Sequence, residues 1–147
     1  MKINTKYLGE VEINEEKIIE FENGIPSFLE EKKFILLPFD ESTPFYILQS
    51  ITTSELGFVV VSPFHFFPDY QVKLSDATIE ALTIENEEDV AVFVILTVQE
   101  PFTNTTANLQ GPVVINSKVQ KGKQISLNDP NYQTKHLLMP QAVGKEG

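Results

Sequence analysis

Cysteine, arginine and tryptophan are all absent from the 147 residues. Without cysteine there is no disulfide, no thiol nucleophile and no thiolate metal site. Without arginine the chain lacks the bidentate donor that dominates phosphate, carboxylate and base-edge recognition, so direct binding of RNA, DNA or nucleotides is not expected. Long apolar runs are missing too. The longest of note, Val90-Ala91-Val92-Phe93-Val94-Ile95-Leu96, falls far short of the roughly 18 residues of a membrane span. Met1-Lys2-Ile3-Asn4-Thr5-Lys6 has no apolar stretch behind its lysines, so no secretory leader is expected and the cytoplasm is the expected compartment.

Positive charge is scarce, and all eleven basic residues are lysine. The formal net charge is -10, with nineteen acids against six lysines in residues 1–100 and two acids against five lysines thereafter. A field of that sign repels nucleic acid and speeds encounters with basic partners. The same charge also serves solubility alone.

Chemistry-bearing motifs are equally thin. His65 and His136 stand alone, with no HxH or HExxH frame, so no metal site is expected. The seven scattered glycines assemble no GxGxxG or P-loop, and there is no GxSxG elbow. The EF-hand frame is missing as well. Carboxylates cluster in runs, the most marked being Glu85 with Glu87-Glu88-Asp89. That run reads as a solvated loop guarding a strand, or as an acidic docking edge. No residue takes a catalytic role, no cofactor is implied, and the chain is expected not to be an enzyme.

Forty-one per cent hydrophobic residues, with eleven Phe and four Tyr, are ample for a core. Ile3, Thr5 and Tyr7 alternate with lysine and asparagine, then Val11 and Ile13 alternate with glutamate, predicting a hairpin bent at Gly9. A third strand covers 18–21 and closes at Glu22-Asn23-Gly24. Ser27 and Glu30 at capping-box spacing predict one helical turn over 25–30. Runs at 34–37, 45–48 and 57–61 are apolar on both faces, and Pro38 and Pro63 end two of them. Residues 90–98 form the strongest strand, expected to lie between two packed layers. A short helix over 76–82 has Ser75 as N-cap and Leu74 with Ile79 as a hydrophobic staple. Later strands are expected at 113–116 and 124–127. Many short strands without βαβ alternation predict a mainly β fold, an antiparallel β-barrel-like single domain over 1–139 with one or two short helices. Residues 140–147 are expected to be a flexible C-terminal tail.

Two segments stand out. Pro63-Phe64-His65-Phe66-Phe67-Pro68-Asp69-Tyr70 carries four aromatics in seven residues, punctuated by two prolines. It suits an interface patch, or a loop folded back over one end of the barrel. In Ala107-Asn108-Leu109-Gln110-Gly111-Pro112-Val113-Val114-Ile115-Asn116, Asn108 and Asn116 flank a Gly-Pro turn and carry amides suited to supporting it.

Taken in order with Thr5-Lys6-Tyr7-Leu8-Gly9-Glu10, Phe21-Glu22-Asn23-Gly24-Ile25-Pro26-Ser27-Phe28 and the 90–98 strand, these segments resemble the flagellar assembly factor FliW family from about residue 2 to 138. Glu22 stands where that family often has proline, and Ser27 where it often has glycine. The resemblance implies a β-barrel-like protein that binds flagellin in the cytoplasm. It also implies a second partner, CsrA, a small dimeric RNA-binding repressor of flagellin mRNA translation. Secretion of flagellin frees the factor to bind CsrA and relieve repression, allosterically rather than at the RNA site. An acidic, arginine-free binder suits a basic target. The contact surfaces expected are Phe64, Phe66, Phe67 and Tyr70, for an apolar hold on a flagellin helix, and Glu85, Glu87, Glu88 and Asp89, for steering CsrA. A monomer is expected. The alternatives are a small-ligand-binding or hydrolytic barrel using its carboxylates, and a flagellin secretion chaperone with no regulatory partner.

Overall fold

The computed structural model describes residues 1–139; the expected C-terminal tail, 140–147, lies outside the described residues. The chain runs β1 (Lys2–Asn4), β2 (Glu10–Glu12), β3 (Ile19–Glu20), β4 (Lys33–Pro38), β5 (Phe45–Ser50) and β6 (Gly57–Val61). Two short helices follow, α1 (Pro63–Phe66) and α2 (Asp76–Ala81). Then come β7 (Val90–Thr97), β8 (Thr106–Ala107), β9 (Val113–Asn116), β10 (Lys121–Gln124) and β11 (His136–Leu137).

Strands β3, β4, β5, β6, β7, β9 and β10 close on one another as a seven-stranded barrel, because β7 pairs with β9 as well as β6. Neighbours are antiparallel except at one seam, where β10 meets β3 in parallel through Lys121 and Glu20. Period-two alternation fills the interior. Phe34, Leu48, Val60, Phe93, Val113 and Ile115 point inward, joined by Phe21 and Ile25 from the turn after β3.

The double-sided apolar runs are explained by cover on the outside of the barrel. Ile35 on β4 faces outward under the β1–β2 hairpin, against Ile3 and Ile13. Val61, Val94 and Leu96 face outward under a layer carrying Tyr70, Ala107, Leu109 and Leu138. Strand β7 is thus sandwiched between two cores, as its sequence predicts.

Three expectations are corrected. Residues 25–30 are not a helical turn. Ile25 and Phe28 exchange backbone hydrogen bonds at 3.4 and 2.6 Å across Pro26 and Ser27, and Ser27 has φ +76°. Proline followed by a left-handed residue makes a tight reverse turn, which overrides the capping spacing. The strand expected at 124–127 lies at 121–124, where Lys121-Gly122-Lys123-Gln124 carries no apolar alternation. Gly122 is required there because Phe21 Cζ lies 2.6 Å from where a Cβ would stand. The aromatic segment, read as a loop, begins with α1, and Pro63 sits at its first turn, where a missing N–H costs nothing.

Candidate functional site: an apolar groove with an acidic rim

The four aromatics of residues 63–70 do not form one patch. Phe64 on α1 is 44% exposed, whereas Tyr70 is 4% exposed and belongs to the outer core. The Tyr70 hydroxyl donates to the Leu109 carbonyl at 2.5 Å, and its ring lies 4.7 Å from Tyr132. Burial, with Tyr132 nearby, raises the Tyr70 phenol well above its ordinary pKa. Phe66 and Phe67 are half-buried. Phe66 stacks on Phe45 and Phe67 meets His136 edge-on, on the side that opens toward β11.

Helix α2 is short but closed at both ends. Ser75 Oγ accepts the Thr78 N–H at 3.1 Å, the N-cap its sequence predicts. At the far end Thr83 has φ +54°. The Ile84 N–H donates to the Ile79 carbonyl and the Thr83 N–H to the Glu80 carbonyl, the bond pair of a Schellman ending with threonine in glycine's place. Asn116, 1% exposed at the end of β9, supports that turn. Its Nδ2 donates to the Leu82 and Thr83 carbonyls at 2.8 and 3.1 Å, and its Oδ1 accepts the Lys118 N–H. The amide expected to support a turn thus ties α2 to the barrel.

Between α1, α2 and the outer face of β7 lies a groove of about 520 Å³. Phe64 closes one side and Val90 with Val92 line the β7 side. Val72, Lys73 and Leu74 line it from the segment before α2, Ile79 from within that helix and Ile84 from just beyond it. Leu74 and Ile79 are the staple pair read from the sequence; the same two residues also face the groove.

Glu87 sits on the rim of this groove. Residues Glu87–Asp89 form a single 3-10 turn leading into β7, and Glu85, Glu87 and Glu88 are exposed. Asp89 is half-buried, and its carbonyl accepts the N–H and hydroxyl of Ser117. Lys118 approaches Glu85 at 3.8 Å. Among the described residues the only other ion pair joins the N-terminus to Glu12, so most of the acidic charge stands unpaired. Phe64 and Glu87, one from each expected surface, therefore share one groove. Phe66, Phe67 and Tyr70 do not line it.

A barrel closed through β7 and β9, with this groove on its flank, is the architecture on which comparison with known proteins bears. The family model described as FliW protein matches residues 2–138. This chain belongs to the FliW family. Two FliW relatives called flagellar assembly factors illustrate the likeness. One from Geobacillus kaustophilus is 57% identical over 145 residues, covering 99% of this chain and all of its own length. One from Bacillus subtilis is 52% identical over 138 residues, covering 94% of this chain and 96% of its own. A crystal structure of a flagellar assembly factor FliW superposes with a TM-score of 0.90 at 55% identity, covering 96% of this chain and 99% of that one. The FliW family is a class of assembly factors and not an enzyme class. No helix among the described residues is long and apolar enough to cross a membrane.

The groove residues Val72, Leu74, Ile79, Ile84, Val90 and Val92 were not candidate contacts in the sequence. Leu74 and Ile79 read there as helix packing, and Val90 and Val92 as a strand between two layers. The only signal was the double-sided apolarity of 90–96 beside an acidic run, which does not say which valines remain partly uncovered.

Proposed function

We propose that this chain is a flagellar assembly factor that binds flagellin in the cytoplasm and, once flagellin is secreted, binds CsrA and relieves its repression of flagellin mRNA translation. The reading makes it a protein-binding module and not an enzyme. The observation that supports it is the groove itself, an apolar trough of protein-interface character with Glu87 on its rim. Phe64 and the groove valines supply apolar area to flagellin. Glu85, Glu87, Glu88 and Asp89 supply the field that speeds capture of a basic RNA-binding dimer. Phe66 and Phe67 extend the contact on the flank toward β11, and Tyr70 holds α1 in place from beneath.

The test is capture of each partner separately by the purified chain. Retention of flagellin and of CsrA, with flagellin displacing CsrA, is the expected result; failure to retain either one overturns the reading. A second measurement addresses how repression is relieved. If RNA at rising concentration fully restores CsrA–RNA binding through a shift in apparent affinity alone, the two compete at one site and the allosteric version fails.

A further inference from the structure

The groove contains backbone as well as side chains, and that backbone is incompletely paired. Strand β6 pairs with β7 only at Val60–Ile95 and Val61–Val94. Two positions further along that register Pro63 would stand against Val92, but Pro63 opens α1 and has no N–H to give. The carbonyls of Asp89 and Ile95 accept from Ser117 and Asn108 on the β9 and β8 side. By strand alternation the carbonyls of Val90 and Val92 therefore face the opposite way, where β6 has ended. The Val90 N–H is taken by the Glu87 carbonyl. Neither Val90 nor Val92 has a ladder donor for its carbonyl. On the other side of the groove, the N–H and C=O groups of Val72, Lys73 and Leu74 enter no hydrogen bond among the described residues. Backbone groups left unpaired along a sheet edge are a template for an added strand.

We propose that this groove takes an extended segment of a partner protein as an added strand along the open edge of β7, with the segment carrying Val72, Lys73 and Leu74 on its other side. The inference rests on the groove being the protein-binding surface and deepens that reading by naming the form of its occupant. A helix satisfies its own backbone and would leave these groups unmet, whereas a strand uses them. The chemistry of the site sets the occupant's pattern. Apolar side chains at every second position enter among Phe64, Ile79 and Ile84, and a lysine or arginine lies at the Glu87 end.

The probe is an acetylated, amidated seven-residue peptide alternating valine with lysine and threonine, added to the isotope-labelled full chain. Expected are chemical-shift changes and slowed amide exchange at Val72, Lys73, Leu74 and Val92. Affinity should fall about tenfold or more when the peptide is N-methylated at alternate positions. It should fall similarly in Leu74→Pro, which removes an N–H without a partner in the free chain. Equal binding of the methylated peptide, tighter binding of a helix-stapled peptide, shifts confined to another face, or no binding up to millimolar peptide would each overturn strand addition. Capture of flagellin and CsrA is scored independently, so loss of the peptide result with both partners retained refutes the added strand alone. Loss of either partner refutes the functional reading.

Discussion

Replacing Asn116 by alanine tests how the groove is built. The amide, 1% exposed, donates to two backbone carbonyls and accepts one backbone N–H; the bond to Leu82 is buried and those to Thr83 and Lys118 are half-buried. At about 1 kcal/mol net for each hydrogen bond, the loss is at most about 3 kcal/mol. The Leu82 and Thr83 carbonyls are left without their donor, and Thr83 at φ +54° keeps only the Schellman bond pair. For a chain of this length that loss lowers Tm by up to about 9 °C, read by thermal and urea unfolding. Amide exchange should rise first in α2, because the bond that ties its end to β9 is gone while the barrel ladder is intact. Asn116→Asp should be worse still, setting a carboxylate against two carbonyls. A loss under about 1 kcal/mol, or an aspartate tolerated as well as the native amide, would refute the claim that this residue anchors the groove wall.

Other outcomes follow from single contacts. Ser27→Gly should stabilise by about 1 kcal/mol, since φ +76° strains any side chain; an unchanged urea midpoint would refute that strain. Tyr70→Phe should cost about 1 to 2 kcal/mol by leaving the Leu109 carbonyl without its donor. Because the folded phenol is raised above its unfolded value, its stabilisation is complete below about pH 10 and is lost as pH rises further. Stability of the native chain should therefore fall in alkali more steeply than that of the phenylalanine variant. Glu31, held low by the hydroxyls of Ser50, Thr53 and Thr52, has the opposite sign. Its contribution is present above the ordinary carboxylate range and is lost as pH falls from there through its lowered folded pKa, so Glu31→Gln should flatten acid unfolding. Phe64→Ala should leave Tm nearly unchanged and weaken flagellin capture. Charge reversal at Glu87 and Glu88 should slow CsrA association at low salt and matter little at high salt.

Much of the fold is legible in the residues because burial writes itself as periodicity. The two-sided run at 90–96 announces a strand between cores, and Ser75 with Leu74 and Ile79 announces α2. Where polar or special backbone decides the structure, periodicity is silent. Nothing in Lys121-Gly122-Lys123-Gln124 marks a barrel strand until the Phe21 ring is seen pressed against Gly122. Ser27 and Thr83 adopt left-handed backbone with residues that do not advertise it. The candidate site was legible only in part for a related reason. Exposure of a given aromatic depends on which way α1 turns after Pro63, and one helical turn sends Phe64 to the groove and Phe66 toward β5. Four aromatics in seven residues signal a covering segment without saying which ring covers and which is offered.

The seam of the barrel has a consequence for the order in which the protein can come into being. Strand β3 is completed by β10 through one paired position and by the Glu20 N–H to the Gln120 carbonyl at 2.9 Å. These partners stand a hundred residues apart. A nascent chain halted before residue 120 has made Phe34 on β4 and Phe21 just after β3, but not the strand that shuts them in. Closure is thus postponed to the last part of synthesis, when Lys121–Gln124 pairs with β9 on one side and β3 on the other.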